Sequence, residues 1–263
     1  MKILRKYAVI ARVSLQNAIH YRVTTASAFL FYTLFIYVFT MLWRAIYREG
    51  SVNGYSYEQI VWYLIMTEFV GFVCGTGIFT AMNEDVKSGS IAYLLGRPTH
   101  YVFYQLANSA GQMLMNVITF GFLAAVLGLV FVGPLPGFNP ASLPPVLLSV
   151  VLAVMINFFF MMLIGLSSFI IEDNFALYLI YQKLNFMLGM FLPVEFLPAW
   201  LQTVTKSLPF SYVFWAPGKL FVSYSPQLFR QLVSRQAAWA AALIVLTLLA
   251  HRAGIKKLQV NGG

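Results

Sequence analysis

Charge is what this chain has least of. Only 10% of its 263 residues are charged and 8 are acidic, whereas soluble domains carry roughly 25% charge. Together with 60% hydrophobic residues, this composition excludes an ordinary soluble surface and defines a polytopic membrane protein. Cysteine is almost missing as well. Cys74 stands alone in the small-residue run VCGTG, which rules out an internal disulfide and any multi-cysteine metal site. There is no GxxxxGK[ST] loop, no HExxH and no GxSxG, and His20, His100 and His251 stand apart at the ends of apolar runs. No catalytic residues, metal ligands or resident cofactor are expected from such parts.

The net charge of +9 does not indicate nucleic acid. The 17 Lys and Arg residues are scattered at the ends of hydrophobic segments, the pattern of membrane topology and not of a basic binding stripe. The amino terminus does not read as a cleavable signal, because Arg12, His20 and Arg22 interrupt its apolar positions. Residues 2 to 16 instead predict an amphipathic helix, with Lys2, Arg5, Lys6, Arg12 and Gln16 on one side. Such a helix rests in the interface against lipid headgroups.

Six spans are predicted, at about residues 24–46, 60–82, 103–132, 146–171, 175–191 and 237–250, the last starting nearer 233. The first is followed by the polar turn YREGSVNGYSYEQ. The second carries Glu68 near its middle together with Gly71, Gly75 and Gly77, small residues that let helices approach closely. A carboxyl group at that depth lines a pathway or makes a structural hydrogen bond. In the third span Asn108, Gln112 and Asn116 recur every four residues and so share one helix face, where they bond between helices or line a polar route. Lys183 in the fifth span snorkels, pairs with an acid such as Glu68, or faces the interior. Glu172, Asp173 and Asn174 form the short turn before that span.

The longest polar break, MNEDVKSGSIAYLLGRP from Met82 to Pro98, lies between the second and third spans. Its acidic start and its Arg97-Pro98 end predict one surface helix over 83–98. Residues 192–234 are broken by Pro193, Pro198, Pro209, Pro217 and Pro226 yet remain rich in aromatics, which predicts short helices that dip into the bilayer or lie on its surface. Six spans place both termini on one side. With that side cytoplasmic, Lys2, Arg5, Lys6, Arg12, Arg22, Lys87, Arg97, Arg252, Lys256 and Lys257 face the cytoplasm. Arg44, Arg48, Lys206, Lys219, Arg230 and Arg235 lie outside. Ten against six favours cytoplasmic termini.

This order of features resembles the membrane subunit of a bacterial ABC-2 type exporter. The resemblance rests on ExxxxGSIAYLLGRP (Glu84, Gly89, Leu94, Leu95, Arg97, Pro98) and PVEFLPAWLQTVTKSLP (Pro193, Leu197, Pro198, Trp200, Leu201, Pro209). It implies an all-α, multi-pass fold forming a single transmembrane domain over residues 1–263. Residues 1–22 would be the interface helix and 83–98 a coupling helix, with Glu84, Asp85, Gly89, Arg97 and Pro98 meeting a separate ATP-binding subunit. Residues 192–234 would be re-entrant helices, with Pro193, Pro198, Trp200 and Pro209 at an extracellular gate. The resemblance further implies two ATP-binding subunits that hold ATP and Mg, and a second permease, a related heteromer being preferred to a homodimer. The setting would be the bacterial cytoplasmic (inner) membrane. An ion-coupled secondary transporter and a membrane scaffold are the competing readings.

Overall fold

The first helix, α1 (Lys2–Ala18), leads into α2 (Arg22–Ile46), and both obey the periodicity of their sequences. The computed structural model describes residues 2–18, 22–47, 54–75, 77–171 and 174–261. The turn around Arg48 to Asn53, the turn at Glu172 and Asp173, and the basic side chains of Lys2, Arg22, Lys256 and Lys257 lie outside the described residues or side chains. On α2, Tyr32, Ile36, Thr40 and Trp43 are buried while Leu30, Phe31, Leu34, Val38 and Leu42 are exposed. A span apolar on all sides but packed on one only is a helix at the rim of a bundle.

α3 (Tyr57–Cys74) is the axis of the core. A capping box starts it: the Ser56 hydroxyl accepts from the Gln59 amide at 3.2 Å, and the Gln59 side chain accepts from the Ser56 amide at 3.0 Å, satisfying two otherwise orphaned donors. Nearly every side chain from Ile60 to Val70 is buried. The expected second span is not continuous. Gly75 has φ of +59°, a conformation open to glycine, and the chain breaks there before α4 (Gly77–Lys87).

A second departure follows at once. The single surface helix expected over 83–98 is two pieces, the end of α4 and α5 (Ser90–Leu95), joined at Gly89 with φ of +72°. Glu84 and Asp85 therefore occupy the last turn of α4 and not the first turn of a new helix. The reason is the left-handed glycine, which ends one helix and reverses the chain into the next.

α6 (Tyr101–Phe131) matches the expected third span. At 31 residues it is about 46 Å long, well beyond a bilayer core of about 30 Å. Its early turns carry α1, which lies along α6 where Gly111 has no side chain to hold it off. Lys6 Nζ donates to the Pro98 carbonyl at 2.6 Å, the His100 amide donates to Tyr7 Oη at 3.1 Å, and Ser14 Oγ donates to the Asn108 carbonyl. α1 is thus bonded to the first turns of α6 and the residues just before it.

α7 (Leu143–Leu166) follows a proline-rich turn in which Asn139 Oδ1 accepts from the Ala141 amide at 3.0 Å. α8 (Phe175–Asn185) starts where the fifth expected span starts. It runs on through a single π-helical turn, Phe186–Met190, and stops ahead of Pro193. Five helical stretches among the described residues are long and apolar enough to cross a membrane: 26–46, 57–87, 101–131, 140–169 and 226–255. The fold is all-α and polytopic.

α9 (Ala199–Ser207) and α10 (Pro209–Val222) form a helical hairpin, and α11 (Pro226–Asn261) closes the chain over 36 residues. α10 does not lie on the surface of the bundle. It inserts between α3 and α7, with Tyr212, Val213, Ala216 and Leu220 fully buried. Gly189 lies against its backbone at Ser211 and Trp215, and Gly218 packs on the ring of Tyr63. One polar lock ties this insertion in place. Gln236 on α11 donates to the carbonyls of Ser149 (3.1 Å) and Tyr212 (2.9 Å) and accepts from Ser149 Oγ at 2.8 Å. Because all of these groups are buried, Gln236→Leu leaves Ser149 Oγ without its acceptor. It is expected to cost about 1–3 kcal/mol, read as a lower unfolding temperature of the purified chain in detergent.

Candidate functional site

The polar break becomes a compact hairpin at one end of the bundle. Asp85 is its hinge pin: Oδ2 accepts from Tyr101 Oη at 2.8 Å and from Gln105 Nε2 at 3.0 Å, while Oδ1 accepts from Ser90 Oγ at 3.1 Å. A carboxylate bonded to three side chains on α5 and α6 fixes the elbow to the long helix. Ser88 adds two bonds to the Glu84 carbonyl, from its amide at 2.9 Å and its hydroxyl at 2.7 Å. The other polar residues point outward. Glu84, Lys87, Gly89, Arg97 and Pro98 are exposed, and the Tyr93 ring, 70% exposed, lies under the Arg97 guanidinium at 4.7 Å. A large aromatic held open to solvent beside an arginine has the composition of a contact surface. Of the residues expected to act together here, Asp85 faces in and the other four face out.

Behind the hairpin lies a polar cavity of about 590 Å³ among α2, α3, α6, α7, α8 and α10. Glu68 lies on its wall, 5% exposed, with no hydrogen bond or ion pair among the described residues. A smaller space of about 190 Å³ shares Cys74, Gly75, Gly77, Gln112 and Asn116 with it and continues to Gln105 and Asn108, toward the hairpin. Gln112 and Asn116 line both spaces and Asn108 the smaller one. Gln112 Nε2 donates to Asn116 Oδ1 at 2.8 Å within α6, and Asn116 Nδ2 donates to the Phe72 carbonyl on α3 at 2.7 Å. Lys183 does not join Glu68. Its side chain is on the exposed face of α8, with Ile180 and Met187.

Sequence reasoning missed several members of this wall. Asn157 on α7 accepts from Tyr181 Oη at 2.9 Å, and Asn185 donates to the Tyr181 carbonyl at 3.1 Å. A lone asparagine in an apolar run is the available signal, but its partner on another helix is not encoded in spacing. His100 and His251, separate in sequence, come together with ring centroids 4.6 Å apart. Among the described residues no three His, Cys, Asp or Glu side chains gather as a metal site requires.

The opposite end carries the second cluster. Pro193 precedes a short 3-10 turn, Pro198 precedes α9, Trp200 is 69% exposed on α9, and Pro209 starts α10 and is buried. Between them sits Glu195, also missed from sequence although it lies inside the proline-rich motif. Lys219 pairs with it at 3.2 Å, and Tyr55 Oη and Trp215 Nε1 donate to its Oε2 at 3.0 and 3.1 Å. Burial pushes the Glu195 carboxyl up, but Lys219, a backbone amide and Trp215 outweigh that and hold it below its ordinary value of 4.5. A lowered carboxylate contributes stability above about pH 4.5 and loses it as pH falls through the folded value. The wild type is therefore expected to lose more stability than Glu195→Gln as the pH falls from 7 to 3.5, read as the larger drop in unfolding temperature in detergent.

An all-helical bundle with membrane-length helices, a half-open cavity between them and an exposed hairpin at one end is the build of a multi-pass membrane protein. The family model described as ABC-2 family transporter protein matches residues 30–262, and the chain belongs to that family. It is the permease of an ABC transporter and associates with an ABC ATP-binding subunit. The match starts inside α2 and leaves α1 outside it. No curated protein matches the chain.

Proposed function

We propose that this chain is one membrane half of an ATP-driven exporter and that the α4–α5 hairpin is its docking surface for the ATP-binding subunit. The observation that carries this reading is the division of labour in the hairpin. Glu84, Tyr93 and Arg97 are presented to a partner, while Asp85 bonds the same element to α6. A push on the outer face is passed to α4 on one side and α6 on the other, the two helices that flank the polar space.

In this reading the hairpin and both termini are cytoplasmic, the α9–α10 hairpin closes the extracellular end, and the membrane is the bacterial inner membrane. Hydrolysis takes place in two partner subunits holding ATP and Mg, and this chain contributes no catalytic group. A second permease completes the pathway, a related chain being preferred. Its seat is the exposed face of α2 and α8, where Lys183 stands in a helix too apolar to leave an amine against lipid. Glu68 beside the break at Gly75 favours one other reading, a carrier driven by ions.

Co-expression with an ATP-binding subunit encoded beside it, followed by co-purification and vesicle transport, separates the two. The exporter reading requires a stable complex and transport that stops without ATP. Ion-driven transport by the purified chain alone contradicts it.

A further inference from the structure

Among the described residues the wall of the large cavity holds one acid and no base. Its side-chain amides each make one bond within the protein, Asn116 to the Phe72 carbonyl, Gln112 to Asn116, Gln182 to Tyr178 at 2.6 Å, and Asn185 to Tyr181. Tyr181 Oη donates to Asn157, and Asn157 Nδ2 faces the Cys74 carbonyl at 3.5 Å. None of these bonds reaches Glu68, which has no hydrogen bond or ion pair among the described residues, and Asn185 Oδ1 is buried without a partner. An isolated carboxylate in a low-dielectric surrounding is costly until a counter-charge and donors join it. Lys183, the one basic residue of the neighbouring α8, points away.

The rest of the wall is apolar and aromatic. Phe72 and Phe120 stack with ring centroids 4.2 Å apart and planes 5° from parallel, and Phe31 and Phe214 complete the lining. A volume of about 590 Å³ lies within the range of small-molecule sites, roughly 300–1,000 Å³. Aromatic faces are attractive to cations as well as to flat apolar bodies.

From this we infer that the cavity is a binding site for a protonated amine carried on an apolar or aromatic body, with Glu68 as its counter-charge. The ligand supplies the positive charge that the wall lacks and N–H donors for Glu68, and its body fills the aromatic part. Anionic amphiphiles are disfavoured, since they bring a like charge to Glu68. The inference names a substrate class for the permease and rests on that reading only for calling the cavity a transport site. Binding itself is a property of the chain.

The test is equilibrium binding to the full-length chain in phosphatidylcholine nanodiscs, with empty nanodiscs subtracted and no ATP or partner present. The probes are 2-naphthylmethylamine, its neutral isostere 2-naphthylmethanol, the anion 2-naphthoate, and the quaternary (2-naphthylmethyl)trimethylammonium. The amine is expected to bind saturably and at least tenfold tighter than the alcohol, with the quaternary cation between them and no saturable binding of naphthoate. Glu68→Gln is expected to remove the tenfold advantage and leave the alcohol unchanged. Equal affinity for amine and alcohol, or saturable binding of naphthoate, overturns the inference on the unaltered chain whether or not the variant folds. A quaternary cation as tight as the amine overturns the part assigned to N–H donors. If the amine binds as expected while ATP-dependent transport fails, the site stands and the exporter reading falls.

Discussion

Deleting Gly89 to Ala92 is expected to abolish stimulation of the partner ATPase while the chain still reaches the membrane in normal amount. The deletion removes the left-handed elbow and the first turn of α5, so Tyr93 and Arg97 can no longer be presented beside Glu84. The core loses one buried side chain, Ile91, and Asp85 loses Ser90 but keeps Tyr101 and Gln105. Glu84→Lys is the milder version. It reverses the exposed charge on the docking face and leaves the Asp85 bonds to Tyr101 and Gln105 intact. ATPase rates of the co-purified complex should fall by tenfold or more in the deletion and less in the point variant. Normal stimulation in the deletion would show that the partner docks elsewhere.

Gly111→Leu should have the other large effect. A Cβ at Gly111 would fall on the backbone of Ala11, Ser14 and Leu15. A helix backbone cannot yield as a side-chain tip can, so α1 must leave α6. The bonds from Lys6 to Pro98, from His100 to Tyr7 and from Ser14 to Asn108 go with it. Overpacking of this kind costs about 1–3 kcal/mol and more where backbone is struck. Hydrogen exchange should rise sharply across residues 5–18. Gly96→Ala is the control, since its Cβ would meet the Tyr93 carbonyl at an ordinary 3.5 Å. Unchanged protection of α1 in Gly111→Leu would mean that the α1–α6 contact is not a close one.

These two sites show how much could be read before the fold was known. Hydropathy placed α2, α6, α7 and α11, because a span of some 20 apolar residues is a local property. The polar break and the proline-broken segment were legible for the same reason. Gly89 and Gly75 were visible as residues but not as bends, since glycine permits a left-handed turn without requiring it. The fifth span is legible in the same way, since α8 and the turn after it are helical to Met190, but no spacing foretells that the last turn is π-helical. The burial of α10 depends on what surrounds it, and its aromatic composition fits an interfacial belt equally well. Partners such as Gln236 with Ser149, Glu195 with Lys219 and Asn157 with Tyr181 join residues 87, 24 and 24 positions apart, on different elements. Periodicity within one helix carries no record of them. Depth alone marks Glu68 in the sequence, and the cavity adds what depth could not, namely an aromatic wall with no basic side chain beside it among the described residues.

The central claim is that the α4–α5 face meets the ATP-binding subunit. It is tested most directly by placing a photo-crosslinking amino acid at Tyr93 and, as the opposite-end control, at Tyr224, which is 37% exposed just ahead of α11. With the ATP-binding subunit co-expressed, irradiation should join the two chains from position 93 and not from position 224. A crosslink from 224 with none from 93 would contradict the claim.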